Sequence, residues 1–375
     1  MEPKPHFNFI DVLWAPARAL SAKQIFAMTL YLVVALAVYD LFVYLAFAVD
    51  GQPLGPAFRA YGFFPFVHIA FTSVIAWIVF FAGVALAAFA LMLGFFAVSA
   101  INVEAVRGHR FLSAWQAIRF ALGRFKQLFL SELGIALFVG FIVLLFFGLG
   151  IVSRLPYVGE WLYTILFVVP NFVIALFSVF IIFVFTLTIL LLPAVAAAER
   201  HGETFTAILE TFSTIIRQPF RWAGYTLYSL VAAKICGFIY AYFCYRAVQF
   251  LTWSASLGGG AKIERLVKAG MGHLPVRSDL VSEAFNIFPG VDFGVSLAPW
   301  MWVGSKAAVS YLMAFMLFLV FATILGYMLA IVAAAQARGY IALRYIKDKH
   351  NIAEEDSLFF KDEHVNPEVE VGATD

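Results

Sequence analysis

Leu190-Leu-Leu-Pro193-Ala-Val-Ala-Ala-Ala-Glu199-Arg200-His201-Gly202-Glu-Thr-Phe205 is the stretch on which the fold turns. An apolar run, Ile174 to Ala198, is long enough to cross a bilayer. It dissolves into small residues and ends on basic residues and Gly. Three residues past the Gly, Phe205 opens a stretch of helical period. The same passage occurs at Val103-Glu-Ala-Val-Arg107-Gly108, with Phe111 three residues past the Gly, and at Ala335-Gln336-Ala-Arg338-Gly339. Recurrence at this scale names an architecture. Each unit reads as an amphipathic stretch, an apolar helix, an outer loop and a second apolar helix running into the small-residue exit.

Working outward, the units cover 1–110, 111–204 and 205–350, the last with a long outer loop at 254–302. Six spans fall near 26–49, 66–100, 128–151, 163–198, 221–251 and 303–337. About 18 apolar residues suffice to cross a bilayer. The composition agrees: 63% apolar, 13% charged, 18% aromatic, mean hydropathy +0.91. A soluble domain carries about 25% charged residues. The sequence therefore predicts an all-α integral membrane protein of three tandem helical hairpins, each preceded by an interfacial amphipathic helix. The small-residue stripes Gly83, Ala87, Ala90, Gly94 and Ala322, Gly326, Ala330, Ala334 place the even-numbered spans inside, because such stripes let helices approach closely. Pro170-Asn171 and Pro193 are candidate kinks in the fourth span. The exit tracts, with Glu104, Arg107, Glu199 and Arg200, are expected to project from the membrane. Residues 351–375, acidic and aperiodic, read as a disordered tail.

Lys and Arg near the span ends set orientation. Arg107, Arg110, Arg119, Arg124 and Lys126 lie in the first inter-unit segment, Arg200, Arg217 and Arg221 in the second, and Arg338, Arg344, Lys347 and Lys349 after the last span. The two short opposite loops hold only Arg59 and Arg154. Both termini are thus expected in the cytoplasm, and the chain in a bacterial inner membrane, with the first span acting as its own signal anchor. In the amphipathic segments, Phe111, Trp115, Ile118, Leu122 and Phe125 share one face, as do Phe205, Ile208, Leu209, Phe212, Ile215 and Ile216. Aromatic faces with basic flanks suit the membrane interface and equally suit packing on the bundle.

The net charge of +2 gives no case for nucleic acid. Cys236 and Cys244, eight residues apart on one helix, cannot form a disulfide with each other. No phosphate loop, nucleophile elbow, metalloprotease motif or catalytic carboxylate pair appears, and the histidines are scattered, so no enzyme activity, cofactor or metal is expected. What remains is intramembrane polarity, a functional hypothesis by default. Asp40 lies 17 residues past Lys23, and Lys234 lies 17 past Arg217, roughly 20–25 Å along their helices. Three readings stand: one buried ion pair fixing helix neighbours, part of a polar path, or two separate groups that each reach the interface or face a water-filled cleft.

Phe9-Ile-Asp-Val-Leu-Trp-Ala-Pro16-Ala-Arg18 resembles the amphipathic, Pro-containing entry of bacterial Yip-type membrane proteins. Pro193 to Glu199 continuing through Phe220-Arg221 is similar to the membrane domain attached to some glycerophosphodiester phosphodiesterases. Their catalytic domain is absent, and neither resemblance supplies site residues. The expected function is non-enzymatic: organising membrane or assisting other membrane proteins, with the lipid bilayer and a membrane-protein partner or second copy as partners. The alternative is a transporter or channel for a lipid or other apolar small molecule.

Overall fold

The computed structural model describes residues 5–65, 70–109, 111–166, 171–199, 204–274, 290, 293–295, 297 and 307–359. Every regular element among them is helical. Six helices are long and apolar enough to cross a membrane: α3 (Ala22–Val49), α5 (Val74–Val106), α7 (Phe125–Val152), α9 (Phe172–Ala198), α11 (Pro219–Gly259) and α13 (Ala307–Asp348). The chain is by this measure a polytopic membrane protein. Short helices lead into the odd spans: α1 (Phe9–Leu13) and α2 (Ala15–Ala19) before α3, α6 (Ala114–Gly123) before α7, and α10 (Thr204–Arg217) before α11. At the opposite, loop end lie α4 (Leu54–Tyr61), α8 (Val158–Leu166) and α12 (Ala261–Met271).

Local chemistry sets several starts. The Ser73 hydroxyl accepts from the Ile75 N–H and opens α5. Ser113 and Gln116 form a reciprocal capping box at α6. Pro219 stands in the first turn of α11, where its missing N–H removes no bond.

The core lies at the end of the bundle that carries both termini. Phe96 to Glu104 on α5, Leu191 to Ala198 on α9 and Ala330 to Leu343 on α13 are each buried without interruption. A helix buried on every side is enclosed by other helices, and these three tracts pack on one another. Ala recurs in all three tracts, so backbones come close between the larger side chains such as Phe96 and Tyr340. α3 lies along α5 and also touches α13, α11 lies along α13, and α7 sits at the margin. A Cβ at Gly94 would stand 2.8 Å from the Met28 sulfur, and one at Gly326 would overlap Thr29. Both stripes read from the sequence thus face α3.

The short helices cover the exit tracts in rotation. α6 packs on α5, α10 on α9, and α2 on α13. Tyrosines pin two of them: Tyr31 donates to the Ile118 carbonyl at 3.2 Å, and Tyr327 to the Pro16 carbonyl at 3.1 Å. Ala15, Ala19, Ala117, Ala121 and Ala207 are buried against the bundle together with Val12, Ile118 and Ile215. The large apolar side chains Trp14, Phe111, Trp115, Leu122, Phe205 and Phe220 remain exposed.

Three expectations change. The exits do not project: Glu104 is 1% exposed, and Arg107 and Ala198 are buried with it inside the bundle. The third exit is not a helix end, because α13 continues through Arg338-Gly339 to Asp348. Gly339 there meets the Tyr225 ring, and Tyr340 to Leu343 are buried in turn. In the fourth span α8 and α9 are described on either side of residues 167–170, Pro170 among them, which lie outside the described residues, and Asn171 stands in a helical conformation at the cap position of α9. Pro193 is inside α9 and buried. Residues 351–359, read as disordered, form a 3₁₀ turn (Ile352–Glu354) and dock on the bundle. Ile352 is buried, and Phe359 packs on Phe120 with ring centroids 4.6 Å apart.

Candidate functional site

Ionisable groups collect at two places. At the terminal end Arg107 reaches out of α5 and donates to Glu104 at 2.9 Å, to the Ala198 carbonyl at 3.0 Å and to the Ile352 carbonyl at 3.4 Å; its guanidinium also pairs with Glu355. Glu104 accepts in addition from the Ser357 hydroxyl at 2.5 Å and the Leu358 N–H at 3.3 Å. Nearby, Tyr340 donates to Glu199 at 2.9 Å, and Arg344 meets Glu210 at 2.5 Å, where Lys347 also lands. Every charge here has a counter-charge, and the groups tie α5, α9, α10, α13 and the tail together. This arrangement is scaffold.

The loop end is different. A cavity of about 450 Å³ lies between α3, the segment after α4, the end of α12 and α13. Asp40, Phe63, Phe64, His273, Tyr311 and Phe318 contribute to its wall. Asp40 sits over two turns inside the loop end of α3, and the chain after α4 comes down to meet it. The Phe64 N–H donates to the Asp40 carboxylate at 3.0 Å. Tyr39 donates to the Pro65 carbonyl at 2.6 Å, and Tyr44 donates to the Gly62 carbonyl. Gly62 turns at φ 63°, and Phe64 is held at φ 56°, a left-handed conformation that costs a residue with a side chain about 1–3 kcal/mol. The strain places the Phe64 ring against Phe318 of α13, centroids 5.4 Å apart.

Across the cavity, His273 lies within hydrogen-bonding distance of the Ser310 hydroxyl (2.9 Å) and stacks on Tyr311 at 4.0 Å. Burial holds its imidazole below the ordinary range, so it is neutral at pH 7. On the other side of α13 a second cavity of about 300 Å³, lined by residues such as Tyr245, Met271, Leu317 and Phe321, carries no acidic or basic side chain. An apolar cavity with a few convergent polar groups is the form of a small-molecule site, and the cavity at Asp40 is the one that has them.

The two residues singled out from the sequence are not brought together. Asp40 faces the cavity, whereas Lys234 is exposed on the outer side of α11, and no ion pair joins them. Sequence reading missed His273, Tyr311 and Phe64. His273 follows a loop helix far along the chain, and nothing in its neighbours marks it. The Glu104–Arg107 pair did carry a signal: opposite charges three apart, beside Asn102, within a small-residue tract. Among the described residues no group of three His, Cys, Asp or Glu stands close enough to hold a metal ion. No family model matches the chain, and no curated protein or solved structure is similar to it.

Proposed function

We propose that this is a non-enzymatic membrane protein that takes an amphiphile, a lipid or similar apolar molecule with one polar end, into the cavity beside Asp40. The observation that carries this reading is the cavity itself: apolar walls, lipid-facing helices around it, and one carboxylate inside. The closely packed, Ala-rich terminal end favours a binding or hand-over role on the loop side above an open channel. Ala37 lines the cavity and is not packed, so Ala37→Trp fills it without disturbing the core. The parent protein should retain a fluorescent single-chain amphiphile through purification in maltoside micelles, and Ala37→Trp should lose it at an unchanged melting temperature. Retention by both forms, or by neither, refutes the proposal.

The chain is further read as three tandem hairpin units, with both termini in the cytoplasm of a bacterial cell and the cavity in the outer half of its inner membrane. The rotation of α2, α6 and α10 over α13, α5 and α9 supports the repeat. The Lys and Arg bias supports the orientation. Reporter fusions at Gln52, Pro156 and Gly259 should read outside and fusions at Gly108 and Gly202 inside; a cytoplasmic signal at Gly259 would reverse the assignment. A second reading, membrane organisation or assistance to a membrane-protein partner or second copy, draws on the exposed Trp14, Phe111, Trp115 and Phe220 along the terminal face. Aromatic rings flanked by Arg119, Arg124 and Lys126 suit the headgroup layer of a bilayer.

A further inference from the structure

We infer that the molecule held at Asp40 carries an ammonium group on an apolar chain; this rests on the cavity being an amphiphile site. Three observations converge on that chemistry.

The first is charge. Among the described residues the Asp40 carboxylate accepts one hydrogen bond, from the Phe64 N–H. Among the described residues no cationic side chain lies within ion-pair distance of it, and Lys234, the one lysine at equivalent depth, faces outward on another helix. His273, the other titratable group on the wall beside Tyr311, is kept neutral by burial. A carboxylate in an apolar, partly buried setting is costly unless a cation accompanies it. The ion-paired terminal end shows how this chain treats acidic groups elsewhere: Glu104, Glu199 and Glu210 each meet an Arg or Lys. Asp40, like Glu132 of α7, meets no Arg or Lys among the described residues, and Asp40 is the one of the two that lines this cavity.

The second is the wall. Phe63, Phe64, Tyr311, Phe315 and Phe318 surround the same space. Aromatic faces attract an ammonium through the ring quadrupole, most strongly away from water. They offer no such attraction to a phosphate or a second carboxylate, which Asp40 would also repel. An anionic head is therefore excluded by the same residues that welcome a cationic one.

The third is strain. Phe64 is held in the left-handed region while its N–H binds Asp40 and its ring stacks on Phe318. One residue thus positions both the carboxylate and an aromatic face. Backbone strain at a ligand clamp is where such conformations concentrate.

The test uses the full chain in maltoside micelles with three probes at equal concentration: dodecyltrimethylammonium, dimethyldodecylphosphine oxide (a neutral head of nearly the same size) and tetramethylammonium. Native mass spectrometry counts adducts, and melting temperature without probe checks folding. The dodecyl ammonium should bind about tenfold or more above the neutral amphiphile, from the carboxylate and the rings together. Asp40→Asn should erase that preference and leave the neutral probe bound as before. Phe318→Leu, which keeps the carboxylate, should reduce the preference about threefold or more, and it serves where Asp40→Asn fails to fold. Equal binding of both amphiphiles to the parent overturns the ammonium while the amphiphile site stands. Equal binding of tetramethylammonium and its dodecyl counterpart assigns the site to a free small cation and overturns the chain. Binding of no probe overturns both this inference and the amphiphile reading beneath it.

Discussion

The two ends of the bundle bury charge in opposite ways. At the terminal end Glu104 and Arg107 are almost wholly enclosed, and each is met by several partners from α5, α9 and the tail. At the loop end Asp40 is half-buried, bonded once among the described residues, and open to a cavity of about 450 Å³. The packing differs in the same sense. Alanines and larger side chains such as Phe96 and Leu128 fill the terminal end closely, while large aromatic side chains at the loop end leave space between them. A buried charge with complete partners is part of a scaffold. A buried charge with one partner and a cavity is poised for something that is not part of the chain.

The contrast breaks most visibly at Arg107. Arg107→Ala leaves Glu104 buried without its cation, and breaking a buried pair costs about 3–5 kcal/mol. The melting temperature in detergent should fall accordingly, and Glu104→Leu combined with Arg107→Met should recover much of the loss. A loss as small as that of a surface substitution would mean the terminal end is not the closed half.

A smaller effect is expected at the loop end. Asp40→Asn keeps an acceptor for the Phe64 N–H, so its cost in stability should stay within about 1 kcal/mol, the scale of a change that creates neither a cavity nor an unpaired charge. Asp40 and Lys234 stand on different helices without contact. Asp40→Asn and Lys234→Gln should therefore add within about 0.5 kcal/mol in a double-mutant cycle. A coupling clearly larger than that would restore the ion-pair reading.

The smallest effect sharpens the comparison at the surface. Asp50 follows α3 and holds the start of α5. Its carboxylate is kept below the usual range first by the Gln52 side chain, then by the Ser73 N–H and by the Thr72 hydroxyl and N–H. Because the folded value lies below the unfolded one of about 3.9, this anchor contributes above that pH and is lost as pH falls through the folded value. The difference in melting temperature between parent and Asp50→Asn should shrink as pH falls below about 4. A difference independent of pH would remove the charge from the anchor.

Much of the fold was legible. Membrane spans announce themselves by apolar length, and the short helices by a period that stops at Arg124 or Arg217 just before an apolar run. The helix ends were less legible, since Arg338-Gly339 looks like a stop in sequence, and only packing against Tyr225 carries α13 past it. The docked segment 351–359 was hidden because its polar residues resemble solvated ones until Arg107 and Glu104 are seen to receive them. Of the candidate site, Asp40 was legible as a costly charge. Its neighbours were not, because a cavity wall drawn from residues 33–41, 63–64, 273–274 and 311–318 has no local pattern.

Sequence by itself determined the class: apolar length forces helices through a bilayer, and small residues at every fourth position allow them to close together. Tertiary structure alone decided which charges meet. Glu104 and Arg107 share a helix face, yet their other partners arrive from α9 and from some 250 residues away in the tail. Asp40 and Lys234, equivalent in register, part company because their helices turn those positions toward different surroundings, one to a cavity and the other outward. Depth along a helix follows from counting residues; what lies beside a residue at that depth depends on how the helices are arranged around one another.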